Sequence, residues 1–286
     1  MVLFSVLRPR HWLKNLLVFV VPVAASVLDW GTLFDSALAF VALSFAASST
    51  YAINDVLDRG SDRKHPAKRR RAVASGRVTA RAALVLAGLS LASSFLVALF
   101  VSVSLLGLVL IYFGMTVSYS LWLKSFPAVD IVLLATFFVL RIFAGGLATG
   151  LPVSDWLLAT SFFAFLSLAS AKRAVELLMM GSSAPGPISG RGYHSGDKEI
   201  VTVVGVAAGL GAAILLGLYV EDTTDNGGSV LGLLLWVIPG LWVYWVMRLW
   251  IIVNRGQLDY DPIDFVMKDR VTYALGVVVS VVFFVA

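Results

Sequence analysis

The sequence predicts an all-α integral membrane protein, a bundle of nine transmembrane helices. Three observations carry the expectation. Of 286 residues, 59% are hydrophobic and only 14% charged, with a mean hydropathy of +0.90. A soluble domain carries about 25% charge, so lipid must solvate much of this surface. Apolar runs recur near 13–29, 33–53, 80–99, 102–121, 128–149, 155–176, 200–220, 229–250 and 269–286, most of them near the roughly 20 residues that a span needs. The basic residues, finally, alternate between connections.

All 22 Lys and Arg follow that alternation except one. Arg8, Arg10 and Lys14 precede the first run, and nine lie between Arg59 and Arg81. Lys124 follows the fourth run; Lys172, Arg173, Arg191 and Lys198 flank the next connection of that parity, and Arg248, Arg255, Lys268 and Arg270 the last. The intervening connections have none, and Arg141 alone sits deep inside a run, away from the basic ends. The positive-inside rule puts the N-terminus in the cytoplasm and the C-terminus outside. The net charge of +5 is thus topological and implies no nucleic acid. Absence of cysteine excludes disulfides, thiolate metal sites and cysteine nucleophiles.

The elements follow in order. Arg8, Arg10 and Lys14 before an apolar stretch have the outline of a signal peptide, but the chain continues membrane-embedded, and the first run is expected to remain as a helix. Runs three and four are nearly continuous, about forty residues, and suit a tight hairpin. Gly146/Gly150 and Gly205/Gly209 form GxxxG pairs, expected to allow close helix packing. Ser182–Gly192 reads as a loop, and residues 1–286 as a single domain with its cytoplasmic chemistry in loops near 54–80 and 172–199.

The second run ends in Asn54-Asp55-Val-Leu-Asp58-Arg-Gly-Ser-Asp62. At ~100° per residue, Asn54, Asp55, Asp58 and Asp62 fall within an arc of about 100°. Three carboxylates on one face repel unless a cation neutralises them, and acids starting inside an apolar span are functional by default. Magnesium takes such hard oxygen ligands and bridges them to phosphates. The segment Arg63-Lys-His65-Pro66-Ala-Lys68-Arg69-Arg70-Arg71 follows directly, a basic loop suited to a polyanion or to anionic headgroups.

Asn54-Asp55-x-x-Asp58-x-x-x-Asp62, followed by His65-Pro66-x-Lys68-Arg69-x-Arg71-x-x-Ala74-Ser75-Gly76, resembles the first signature of the UbiA-type prenyltransferase superfamily, with Ala72 where the family usually has proline. The resemblance implies a nine-helix membrane enzyme that binds a diphosphate through Mg2+ held by Asn54, Asp55, Asp58 and Asp62. Members that prenylate aromatic rings carry a second aspartate motif at the end of the sixth helix; here that region reads Lys172-Arg173-Ala-Val-Glu176. This departure, with Leu7-Arg8-Pro9-Arg10-His-Trp12-Leu-Lys14-Asn15 and the stretch from Tyr119 and Lys124 through Asp130 to Arg141, resembles the decaprenyl-phosphate phosphoribosyltransferase branch.

That branch implies transfer of 5-phosphoribose from 5-phosphoribosyl 1-diphosphate (PRPP) to decaprenyl or another polyprenyl phosphate, for the cell-wall arabinan of actinobacteria. It implies a multi-pass plasma-membrane enzyme with a cytoplasmic site, touching membrane lipids and leaving room for a homo-oligomer. Asp55, Asp58 and Asp62 would be catalytic through the metal. Lys14, Asn54, Arg63, His65, Lys68, Arg69, Arg71, Tyr119, Lys124, Arg141, Lys172, Arg173, Glu176 and Tyr193 are the expected substrate contacts, with Asp259, Asp261 and Asp264 as weaker candidates or a cap. From the residues themselves, Lys172 and Glu176 also fit an i,i+4 pair, Tyr119 and Lys124 ordinary interfacial anchors, and Arg141 either a phosphate ligand or a structural pair. The alternatives are an aromatic polyprenyltransferase of the same fold, and a transporter using Arg141 and the acids as an ion path.

Overall fold

The computed structural model describes residues 2–64, 68–180, 191–224, 230–258 and 262–285. Every regular element among them is helical: α1 (Val2–Leu7), a 3-10 segment (Pro9–Phe19), α2 (Val20–Ala24), α3 (Trp30–Leu57), α4 (Arg59–Lys64), α5 (Ala80–Val101), α6 (Val103–Leu121), α7 (Val129–Thr149), α8 (Asp155–Met180), α9 (Lys198–Thr224), α10 (Val230–Leu234), α11 (Val237–Asn254), α12 (Pro262–Val266) and α13 (Arg270–Val285). Among the described residues, six helical segments are long and apolar enough to cross a membrane: Trp30–Leu57, Ala80–Val101, Val103–Leu121, Val129–Thr149, Ser195–Asp222 and Gly232–Asn254; Arg270–Phe283 is shorter. The run expected at 155–176 is a long helix that carries Asp155, Lys172, Arg173 and Glu176.

The chain divides into two compact units, Met1–Trp122 with Leu140–Val153, and Leu123–Val139 with Ser154–Ala286. In the first, α3 presents small residues to its neighbours: Ser36, Ala39, Ala42, Ser44, Ala46, Ala47, Ser48, Ser49 and Ala52 are buried. Small side chains let helices approach closely, and their hydroxyls bond across the gap. Ser94 Oγ of α5 donates to Ala42 O at 2.7 Å, and Thr50 and Thr116 hydroxyls of α3 and α6 meet at 3.2 Å. Side-chain caps set the helix starts: Asp29 accepts from Thr32 N, Thr79 from Ala82 N and Ser102 from Leu105 N. Ser102, extended at φ −164°, also ends α5 through its own N–H to Ala98 O. One serine thus breaks the forty-residue apolar run into the expected hairpin.

The first run is not a regular α-helix. It is an eleven-residue 3-10 segment followed by five residues of α2, far beyond the usual 3–4 residues of 3-10 geometry. Pro9 and Pro22 lack N–H donors, and the segment is held sideways instead. Trp12 Nε1 donates to Ser48 Oγ at 2.9 Å, Ser48 Oγ to Leu7 O at 2.9 Å, and Asn15 Nδ2 to Ser44 Oγ at 3.0 Å.

In the second unit α9 packs between α8 and α11 through its GxxxG pair. A Cβ at Gly205 would collide with the Trp250 ring and Ser170, and one at Gly209 would come within 2.6 Å of Val246. The other pair serves a different purpose. Gly150 has φ +71°, its N–H reaches Gly146 O at 2.9 Å, and a Cβ on Gly146 would strike Val153; this is the C-terminal turn of α7 folding back on itself, not helix-on-helix packing. Residues 191–194 dock on the turn before α7: Gly192 lies against Ser125 O and Pro127, and Tyr193, 2% exposed, accepts a hydrogen bond on its phenol oxygen from Ala128 N at 2.9 Å.

Gly205→Ala should lower the detergent-state melting temperature by the equivalent of about 1–3 kcal/mol of overpacking, whereas Gly240→Ala, where a Cβ meets nothing within 4 Å, should leave it nearly unchanged. Burial pushes the Tyr193 phenol above its ordinary value. A raised folded-state value favours the protonated form, so its contribution is fully present below pH ~10 and is lost as pH rises through the folded value. The gap in unfolding midpoint between wild type and Tyr193→Phe should therefore stay constant to pH ~10 and shrink above it; a gap that widens with alkali contradicts this.

Candidate active site

The acid motif keeps its register through a bend. α3 ends at Leu57, Asp58 forms the turn, and α4 resumes at Arg59. Asp58 N still donates to Asn54 O at 2.8 Å, and Asp62 N to Asp58 O at 2.8 Å, so Asn54, Asp58 and Asp62 remain four apart on a helical path. Asp55 and Asp62 are each 3% exposed; Asp58 is half-buried. Asn54 Nδ2 donates to Ser120 Oγ at 2.9 Å, pinning the motif to the end of α6.

Two arginines meet the buried acids. Arg71 Nη1 lies 2.7 Å from Asp62 Oδ2 and 3.7 Å from Asp55 Oδ1. Arg8 Nη2 pairs with the same Asp55 Oδ1, and its guanidinium lies over the Tyr51 ring, 4.9 Å from the centroid. Arg8 is reached from a left-handed backbone (φ 49°, ψ 60°) between α1 and the 3-10 segment. Arg71 is carried by a loop whose Ala72, Val73 and Val78 pack with Val6, Ala52, Ala83 and Ala87. Arg63 Nε donates to Ala74 O at 3.0 Å, which braces this loop; Arg69 is exposed. His65 lies outside the described residues, as do the Lys68 side chain, Asp259, Asp261 and the Asp264 side chain.

The donor set suits a hard divalent cation. A guanidinium nitrogen already stands between the carboxylates of Asp55 and Asp62, where positive charge is accommodated. With the acids drawn toward arginine, no three carboxylate or imidazole groups among the described residues converge to hold one ion. Asp55, Asp58 and Asp62 are the residues that would hold magnesium, with Asn54 steadying them from its bond to Ser120.

Deeper in the first unit, Arg141 is 7% exposed. Its Nε donates to Asn15 Oδ1 at 2.7 Å and its Nη2 to the Tyr112 hydroxyl at 2.7 Å, with the guanidinium 5.1 Å from the Tyr112 centroid. Of the two readings, these contacts match the structural pairing of a membrane-buried arginine. Lys14 and Tyr119 are half-buried in the same unit.

The second unit holds its own charged centre. Asp130 and Arg173 are both fully buried. Arg173 Nη2 approaches Asp130 Oδ2 at 2.6 Å, an ion pair without hydrogen-bond alignment, and Nη1 pairs with Glu176 Oε2. Arg191 Nη1 reaches Asp130 Oδ1 at 2.8 Å, and its Nε lies 3.6 Å from Glu176. Tyr193 closes the group, its ring 5.5 Å from the Arg173 guanidinium. Two cations here balance two acids. Lys124 and Lys172 are half-buried in this unit, and Tyr193 also borders a cavity of about 390 Å³ with Ile131, Leu166 and Val201 in its wall.

The structure thus joins Asp55, Asp62 and Arg71, and separately Arg173, Glu176 and Tyr193. Sequence reasoning missed Arg8 as the partner of Asp55, Arg191 as the partner of Asp130, and Asn15 and Tyr112 as those of Arg141. The sequence signals were polar residues, Asn15 and Tyr112, inside apolar runs.

Comparison with known proteins agrees with this architecture. Residues 16–177 match the UbiA prenyltransferase family. The chain is 31% identical to the uncharacterized protein y4nM of Sinorhizobium fredii over 99% of its own length but only 55% of that protein. It is 31% identical to the nodulation protein NoeC of Azorhizobium caulinodans over 96% of this chain and 91% of that one. With the decaprenyl-phosphate phosphoribosyltransferase of Mycobacterium tuberculosis it shares 30% identity over 94% and 89%. A UbiA homolog from Archaeoglobus fulgidus bound to DMAPP and Mg2+ superposes with a TM-score of 0.73 at 17% identity, covering 99% and 97% of the chains. With the acid motif and the basic loop both inside the matched region, this chain is a member of the UbiA prenyltransferase family.

Proposed function

We propose that this protein is a magnesium-dependent transferase that moves 5-phosphoribose from PRPP to a polyprenyl phosphate at the cytoplasmic face of the plasma membrane, giving polyprenylphosphoryl-5-phosphoribose and diphosphate. The observation that carries the reading is the charge pattern at the end of α8. The region where aromatic-prenylating relatives keep more aspartates holds Lys172 and Arg173, and its acids Asp130 and Glu176 are already met by Arg173 and Arg191. The Asn54–Asp62 cluster, with three acids against two arginines, is then the metal site, and Lys172 adds basic character suited to an anionic lipid acceptor. Similarity to decaprenyl-phosphate phosphoribosyltransferases along most of the chain supports the same choice.

In this reading the Asn54–Asp62 carboxylates orient the sugar diphosphate. Arg71, Arg69, Arg63, Lys68 and His65 surround its phosphates; Lys14, Tyr119, Lys124 and Lys172 serve the 5-phosphate or the lipid phosphate. Magnesium, when bound, supplies charge neutralisation of the departing diphosphate. The bond from ribose C1 to the diphosphate oxygen breaks and one to a lipid phosphate oxygen forms. That oxygen is ionised at pH 7, so no general base is needed, and catalysis is positioning and charge stabilisation. Arg173 acts as a structural counter-ion, holding α7, α8 and the 191–194 segment of its own unit in place.

Proteoliposomes given labelled PRPP and decaprenyl phosphate should yield a phosphoribosyl lipid. Prenyl transfer from polyprenyl diphosphate to 4-hydroxybenzoate in its place would refute the proposal in favour of the aromatic reaction. Asp55→Asn combined with Asp58→Asn should reduce turnover by more than about 100-fold with the fold retained, at a melting temperature lowered by the loss of the carboxylate that Arg8 faces. Arg173→Leu, which leaves the fully buried Asp130 with Arg191 as its remaining arginine, should cost stability on the order of 3–5 kcal/mol, whereas Lys172→Leu should keep the wild-type melting temperature and raise KM for an anionic substrate. Thermal unfolding followed beside initial rates separates the two.

A further inference from the structure

The arginines on the acid cluster stand in the way of the metal that the cluster would bind. Asp55 Oδ1 faces Arg8 directly and Arg71 Nη1 at 3.7 Å, while Asp62 Oδ2 faces Arg71 at 2.7 Å. An oxygen engaged by a guanidinium cannot also give its full charge to a second cation, and a divalent ion set among these groups would be repelled by both arginines. Asp55, Asp58 and Asp62 carry three negative charges against two positive ones from Arg8 and Arg71, so the bare site is already largely neutralised.

Arg8 is delivered there by construction. Along the N-terminal segment Arg8, Trp12 and Asn15 meet Asp55, Ser48 and Ser44 in turn, stepping down α3. Arg8 itself holds a left-handed backbone, φ 49°, which is uncommon for a non-glycine residue and marks a position fixed by its surroundings. Its side chain is 22% exposed, so the guanidinium can turn outward while Asp55 stays buried.

Resting on the assignment of Asp55, Asp58 and Asp62 as the metal site, we propose that Arg8 is an exchangeable counter-ion: it occupies Asp55 in the bare site and moves to a phosphate oxygen when metal and diphosphate arrive together. Metal alone must displace Arg8 without offering it a partner. Metal with diphosphate provides the partner, so the two bind cooperatively, and the coupling is reciprocal.

The test uses Mn2+ as probe, followed by electron paramagnetic resonance on the purified full-length protein, with and without inorganic pyrophosphate. Arg8→Gln should tighten Mn2+ binding without pyrophosphate by about tenfold and weaken pyrophosphate binding at saturating Mn2+ by a similar factor, within the usual range of site coupling. Arg8→Lys should stay near wild type. Should Arg8→Gln fail to fold, Tyr51→Leu, which removes the ring beneath the guanidinium, should shift Mn2+ affinity in the same direction to a smaller extent. Unchanged or weaker Mn2+ binding by these variants, with wild type binding the ion, overturns the exchange alone. A wild-type protein that binds no Mn2+ even with pyrophosphate overturns the metal site and the exchange with it.

Discussion

A charged group enclosed by apolar side chains must meet an opposite charge or a well-aimed dipole, because its lost hydration is recovered nowhere else. Three such encounters organise this protein. Asp55 and Asp62 are met by Arg8 and Arg71, Asp130 by Arg173 and Arg191, and Arg141 by Asn15 and Tyr112. Each ties a segment of irregular backbone to a long helix: the 3-10 arm and the 71–78 loop to α3, residues 191–194 to α7 and α8, and the arm again to α7. Irregular backbone at membrane depth is tolerated where protein surrounds it, and the buried Asn15 and Val18 of the arm fit that condition.

The small-residue face of α3 makes the arrangement sterically possible. Alanines and serines from Ser36 to Ala52 allow the arm, α5 and α6 to lie close, and their hydroxyls satisfy donors that lipid could not. Ser44 and Ser48 receive Asn15 and Trp12, which sets how far along α3 the arm sits and hence where Arg8 arrives. A helix-packing property fixed many residues from the acid motif thereby decides which cation stands against Asp55.

The second charged centre bears on chemistry differently. Glu176 and Asp130 share their charge with Arg173 and Arg191, so the acids of α7 and α8 are engaged in holding the second unit together. In the proposed reading, Lys172 and Arg173 near the end of α8 are what favour a phosphate acceptor over an uncharged aromatic one.

Much was determined by the sequence alone. Hydropathy located the long helices, and the length of a stretch of forty apolar residues called for a hairpin within it. Spacing put Asn54, Asp58 and Asp62 on one helical path and set the basic loop after them. These features arise from interactions within a few residues, so period and local chemistry reveal them. The tertiary structure alone decided the partners. Arg8 lies 47 residues from Asp55, Arg191 lies 61 from Asp130 and Asn15 lies 126 from Arg141; no periodicity links such pairs. It also decided that the first apolar run is a laterally anchored 3-10 segment, and that Gly146 and Gly150 end a helix rather than pack one. The physical reason is common to all of these. A buried polar atom must be satisfied, but which group satisfies it depends on where the folded chain brings its distant parts.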